Sequence, residues 1–209
     1  HLAEHGTQIR NIVFMGMGEP LDNLDNLIHS VEIFTDAQAF HLSPNRITVS
    51  TVGLLPQLER LLVECPASVA ISVHSPYADE RSKLMPVNVL NPIHDVFELL
   101  RKQNAPRAPW KKRTFFIQYT LIRNVNDSAE HADALAQLLA DVDVKVNIIP
   151  LNEHEGTAMR RPDLGRVFTF QQNLKQKGFV ATVRLSKGRD IEAACGQLIK
   201  KKEQRAHDS

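Results

Sequence analysis

Phe115-Phe-Ile-Gln-Tyr-Thr-Leu-Ile122, then a leucine-bearing stretch opened by Asp127-Ser-Ala-Glu130, then Val144-Lys-Val-Asn-Ile-Ile-Pro150 read as strand, helix and strand. The flanking runs are rich in β-branched and aromatic residues and too short for buried helices, whereas the middle stretch carries apolar residues at helical spacing. Asp127 and Glu130 have the spacing of a capping box, each carboxylate within reach of a free backbone amide, and Leu135, Leu138 and Leu139 mark a buried face. Two strands joined through a helix pair in parallel, so this stretch sets the fold class as α/β.

The same alternation extends in both directions. Further strand-like runs lie at 11–14, 46–50, 69–73 and 180–185, and further helix-like runs at 24–37, 54–64, 92–103 and 164–177. Six βα-type units in 209 residues fall short of a complete eight-stranded barrel, which takes about 250 residues. The expectation is a partial (βα)6 barrel of the TIM type. The polar opening at 1–10, without a starting Met, gives the further expectation that a first βα unit is missing upstream.

Composition narrows the class. The chain is 43% hydrophobic with net charge +1, enough apolar content for a sizeable core and no overall charge that selects nucleic acid or membrane. It has two cysteines, Cys65 and Cys195, which make no disulfide framework and match no zinc or iron–sulfur spacing. With no membrane-spanning run and no signal peptide, a cytoplasmic location is expected. No metal ligand set is read from the nine histidines. Basic residues gather around Trp110 (Arg101, Lys102, Arg107, Lys111, Lys112, Arg113) and near the C-terminus (Lys200, Lys201, Lys202, Arg205); each group is either a set of phosphate contacts or a solvated face.

In parallel α/β folds, sites form where strands end and βα loops begin. The residues at these places are Gly16-Met-Gly-Glu-Pro20, Ser50, Ser72-Val-His74, Asn124, Asn126 and Asn152. Glycines let a ligand approach backbone, Glu19 can accept from an ammonium group, and short hydroxyl and amide groups bind sugar, carboxylate or purine edges without filling the space. Each has a structural alternative: Ser50 or Ser72 as helix caps, His74 as a satisfied loop histidine, Met15, Met17 and Met85 as core or pocket filler. Cys65, before Pro66 and without a neighbouring cation, reads as packing. Cys195, downstream of Lys187 and Arg189 and near a helix start at Asp190, reads either as an ionisable thiol or as a buried inert one.

Taken in order, Phe14-Met-Gly-Met-Gly-Glu-Pro-Leu21, Arg46-Ile-Thr-Val-Ser-Thr-Val-Gly-Leu54, Ala70-Ile-Ser-Val-His74, Lys83-Leu-Met-Pro86, Val125-Asn-Asp-Ser128, Val146-Asn-Ile-Ile-Pro-Leu-Asn152 and Asp190-Ile-Glu-Ala-Ala-Cys-Gly-Gln-Leu198 resemble the RlmN/Cfr radical S-adenosylmethionine RNA methyltransferases, over nearly the whole chain. The resemblance implies a radical SAM-class barrel over 1–189 and a C-terminal segment, 190–209, that carries the methyl-accepting cysteine. It implies methylation of an adenosine in 23S ribosomal RNA and in some transfer RNAs, with S-adenosylmethionine and a 4Fe-4S cluster as cofactors, an electron donor as partner, and a monomer that does not engage membrane. Cys195 would be methylated by one S-adenosylmethionine, and a radical made from a second would abstract hydrogen from that methyl. Gly18, Glu19, Ser50, Ser72, Val73, His74 and Asn152 would bind S-adenosylmethionine.

The sequence also departs from that family. The three-cysteine C-x-x-x-C-x-x-C cluster motif and the upstream cysteine that resolves the RNA adduct are not among its residues. The expectation is a fragment of a longer enzyme, inactive by itself, with a noncatalytic RNA-binding barrel as the alternative. A lyase or aldolase built on Lys83 or His74 is a third class. Gln118 and Ser75-Pro76 lean away from RlmN while Ser186-Lys-Gly-Arg-Asp190 leans towards it, and carbon 2 of adenosine is favoured over carbon 8 as the target.

Overall fold

A computed structural model describes residues 9–104, 113, 115–153 and 156–185. Its strands are β1 (Ile12–Phe14), β2 (Ile47–Thr51), β3 (Ser68–Ser72), β4 (Phe115–Leu121), β5 (Val144–Pro150) and β6 (Val180–Val183). They form one sheet in sequence order, every neighbouring pair parallel, as the alternation of elements predicts. The α-helices are α1 (Leu24–Thr35), α2 (Leu55–Glu64), α3 (Ala78–Leu84), α4 (Ile93–Asn104), α5 (Ala129–Leu138) and α6 (Leu164–Gln176). Only α3 has no counterpart among the helices expected from sequence. β1 and β6 do not pair with each other, so among the described residues the barrel is open and these two strands are its edges.

The two faces of the sheet differ in chemistry. Ile47, Val49, Val69, Ile71, Ile117, Tyr119, Val146 and Ile148 are fully buried and form the core with α1, α2, α4, α5 and α6. The alternate residues turn to the inner face. There, register places Ser72, Gln118, Asn147 and Thr182 in one polar row across four strands. Gln118 Nε2 donates to Met15 Sδ at 3.7 Å. β1 and β4 lie three inter-strand spacings apart, roughly 14 Å in a flat sheet, so this contact requires the sheet to curl and bring its inner side chains together.

The helix cap expected from sequence needs revision, and two other local readings are decided. The side chain that caps α5 is Ser128, which accepts from the His131 amide, and the box expected from Asp127 to Glu130 does not form. Asp127, its side chain 2% exposed, instead accepts from the Asn124 amide at 2.9 Å and pairs with Arg166 at 2.9 Å, fixing the loop after β4. Of the two alternatives for Met15 and Met17, core or pocket filler, their exposure of 41% and 63% in the loop after β1 removes the core. Cys65 is buried as expected, and burial pushes its thiol pKa up, which keeps it protonated and inert.

Candidate functional site

All the described strand-end residues singled out from sequence lie at one end of the sheet, because parallel strands present their C-terminal ends to the same side. Gly18 has φ +93°, and a side chain there would meet nothing within 4 Å, so the loop after β1 is free of packing on that side. Glu19 caps the turn Pro20–Asn23: Oε1 accepts from the Leu21 amide at 3.1 Å and Oε2 from the Val52 amide at 2.9 Å. It therefore ties the loop after β1 to the loop after β2. A carboxylate has about four lone-pair positions, so each oxygen retains acceptor capacity. Ser50 and Ser72 lie within strands and cap no helix, and both belong to the half-open inner face. Asn152 follows β5 at the same end.

His74 is the most constrained of the group. Its φ of +59° is unusual for a residue with a side chain. Nδ1 accepts from the Thr120 amide at 3.0 Å. Because Nδ1 is the acceptor, the ring proton of the neutral imidazole sits on Nε2. Burial, with a smaller contribution from the Arg81 charge, holds the His74 pKa down to about 4, so the ring is neutral at physiological pH.

Behind this segment lies Arg81, fully buried on α3. Nη2 donates to Val52 O at 2.8 Å and to Ser72 O at 3.1 Å, Nε to Val73 O at 3.1 Å, and Nη1 to Asn88 Oδ1 at 2.7 Å. Burial lowers its pKa to about 10, which still leaves it charged. Asn126, also fully buried, accepts from the Ile122 amide at 2.7 Å and donates to His74 O at 2.5 Å and Thr120 O at 2.8 Å. Gly53, φ +94°, passes so close to α4 that an added Cβ would lie 2.9 Å from Val96 Cγ2. Sequence reasoning missed Arg81 and Gly53, and read Asn126 only as a polar loop residue.

Of the basic group expected around Trp110, Arg101, Lys102 and Arg113 are described. Arg101 donates to the carbonyls of Leu138 and Ala140 at the end of α5, and Arg113 to Cys65 O. Both lie at the N-terminal ends of the strands, opposite the candidate site, and serve the fold. Trp110, Arg107, Lys111 and Lys112 lie outside the described residues, as do Lys187, Arg189, Cys195 and the rest of 190–209. A groove of ≈ 480 Å³ is lined by Pro76 and Tyr77 from the loop after β3 and by His94, Arg101 and Leu138 from α4 and α5.

The residue chemistry separates the two cofactors implied by the resemblance. Small polar side chains, an oriented imidazole donor, a carboxylate and an unpacked glycine loop fit a nucleoside carrying an amino-acid tail, as in S-adenosylmethionine. An iron–sulfur cluster does not fit these residues: the sequence holds two cysteines, of which Cys65 is buried at the opposite end, and among the described residues no three His, Cys, Asp or Glu converge.

An open barrel of parallel strands with its polar residues at the strand ends belongs to the radical SAM fold class. A radical SAM methyltransferase from Sphaerobacter thermophilus superposes with a TM-score of 0.85 at 40% identity, over 93% of this chain and 56% of that one. A domain of a pyruvate-formate lyase-activating enzyme from Bacteroides vulgatus shares the fold at TM-score 0.62 and 18% identity, over 83% of this chain and 98% of that one. Over nearly its whole length the chain is similar to RlmN proteins. It is 41% identical over 196 residues to the dual-specificity RNA methyltransferase RlmN of Geobacter sulfurreducens, 94% of this chain and 53% of that protein. It is 40% identical over 204 residues to the RlmN of Alkalilimnicola ehrlichii, 98% of this chain and 56% of that protein. The chain thus spans about half the length of the curated relatives it matches. No protein-family model matches the sequence. Among the described residues no helix is long and apolar enough to cross a membrane.

Proposed function

We propose that this chain is the S-adenosylmethionine-binding barrel of an RNA methyltransferase that acts on an adenosine of 23S ribosomal RNA, at carbon 2, and on transfer RNA. The observation that carries the reading is the His74 ring, held neutral with Nε2–H as its donor beside Ser72 at the sheet end that also bears Gly18, Glu19, Ser50 and Asn152. S-adenosylmethionine supplies the methyl group. In this reading Glu19 accepts from its ammonium, His74 donates to an acceptor on its nucleoside, and Ser50, Ser72, Val73 and Asn152 complete the pocket. Cys195 is the methyl acceptor, in a C-terminal segment at 190–209 distinct from the barrel.

Titration calorimetry of the purified chain with S-adenosylmethionine tests the binding half. Saturable one-to-one binding that weakens at least tenfold in Glu19→Gln and His74→Ala is the expected result; equal binding by both variants would refute the pocket. Mass spectrometry of an active enzyme containing this sequence tests the other half. A methyl group on Cys195 is expected, and full RNA methylation by Cys195→Ala would sink its role. The 209 residues alone, with two cysteines and no cluster ligand set, are expected to leave RNA unmethylated.

A further inference from the structure

The carbonyls of three consecutive residues at the end of β3 are all taken up by side chains from outside the strand. Ser72 O and Val73 O accept from Arg81, and His74 O accepts from Asn126. In an unbroken parallel ladder Val73, whose N–H donates to Gln118 O at 3.0 Å, would offer its own carbonyl to the Thr120 amide. That exchange does not occur here. The Ser75 amide at 2.8 Å and Arg81 Nε at 3.1 Å take Val73 O, and the Thr120 amide donates to His74 Nδ1 instead. The imidazole has taken the place of a strand carbonyl, and Asn126 closes the exchange by bonding both His74 O and Thr120 O.

This arrangement has a steric and an electrostatic requirement. The left-handed backbone at His74 costs free energy unless surrounding groups over-determine it. Asn126 does so with a donor that reaches His74 O and Thr120 O together, while its own oxygen is fixed by the Ile122 amide. Arg81 supplies the other constraint, since its planar guanidinium presents several donors in fixed directions and reaches the ends of β2 and β3 from below. A lysine has no such fork.

We propose that Arg81 and Asn126 are positioning residues for ligand binding: together they hold the Ser72–Val73–His74 segment so that His74 presents Nε2–H as a hydrogen-bond donor to an acceptor atom of the nucleoside. The ligand half rests on the function proposed above, whereas the orientation of the ring does not. Neither residue touches ligand in this scheme. Both act through the backbone of 72–74.

Histidine side-chain NMR on the ¹⁵N-labelled full chain, paired with S-adenosylmethionine titration, separates these halves. In the parent chain His74 shows the Nε2–H tautomer. In Asn126→Ala and Arg81→Lys it shifts to a mixture of tautomers while the other histidine signals hold, and S-adenosylmethionine affinity falls tenfold or more. Asn126→Asp, which keeps the Ile122 contact but cannot donate to His74 O, falls as far as Asn126→Ala. An unchanged His74 tautomer in folded variants, or affinities within twofold of the parent, overturns the proposal. If the parent chain binds no S-adenosylmethionine yet its His74 tautomer responds to the substitutions, the positioning stands and the functional reading fails. Should Arg81→Lys not fold, the two Asn126 variants decide the matter.

Discussion

The two ends of the barrel solve the same backbone problem by different means. At the N-terminal ends of the strands, left-handed residues follow helices: Asp141, φ +65°, comes after α5 and Gly178, φ +90°, after α6. They are held by main-chain bonds such as Gly178 N to Lys175 O at 2.9 Å and Phe179 N to Leu174 O at 3.1 Å, a common way to end a helix. At the C-terminal ends, His74, φ +59°, and Asn124, φ +56°, follow strands and are held by Asn126 and Asp127, while Arg81 secures the carbonyls beside them. One end closes mainly with main-chain bonds, with Arg101 and Arg113 on carbonyls beside them, and the other relies on the fully buried side chains of Arg81 and Asn126 as well as main-chain bonds. Each of those side chains makes several bonds, so substitution at the second end is the more damaging.

The largest expected effect is that of Arg81→Met. Removing the guanidinium withdraws donors from four buried acceptors and should lower unfolding stability by about 4 kcal/mol, part of the gross loss being offset because a buried charge also disappears. Urea unfolding followed by circular dichroism reads this directly, and a loss below 1 kcal/mol would mean that the carbonyl ends of β2 and β3 hold themselves.

Acid should also strike the site end. His74 titrates at about 4 when folded, below the ordinary value of 6.5, so between those values the unfolded chain binds more protons. Stability is therefore full above pH 6.5 and falls as pH drops towards 4, by roughly 3 kcal/mol from this ring. His74→Asn tolerates the left-handed backbone and offers the Thr120 amide a non-titrating oxygen. Its unfolding free energy should depend less steeply on pH over that window, and parallel pH profiles for parent and variant would remove His74 as the cause.

Two glycine substitutions complete the comparison. Gly53→Ala at the site end meets both a positive φ and Val96 at 2.9 Å, and should cost about 2 to 3 kcal/mol. Gly178→Ala at the other end meets no atom within 4 Å, so only the backbone penalty of about 1 kcal/mol applies. Thermal melts of the pair rank the two ends, and equal shifts would erase the distinction.

Much of this was legible before any coordinates. Period-two and helical spacing located all six strands and the five longer helices, because a sheet covered on one face by helices imposes its pattern on sequence. Gly18, Ser72, His74 and Asn152 could be placed at one end of the sheet because βα loops fall at strand ends. Arg81 was not, because its helix has seven residues, too few for a periodic signal, and its partners are carbonyls, which leave no trace in side-chain sequence. Asp127 was taken for the α5 cap because a carboxylate before a helix suits that role; its tie to Arg166 links positions 39 residues apart and is a product of tertiary structure.

The open sheet also bears on how the molecule behaves at high concentration. Among the described residues the outermost strands, β1 and β6, are three and four residues long. An unpaired edge recruits any strand that reaches it, and long flat edges are where folded proteins start to aggregate. Strands this short offer a passing strand only a few backbone bonds, so the described edges are weak templates for sheet extension.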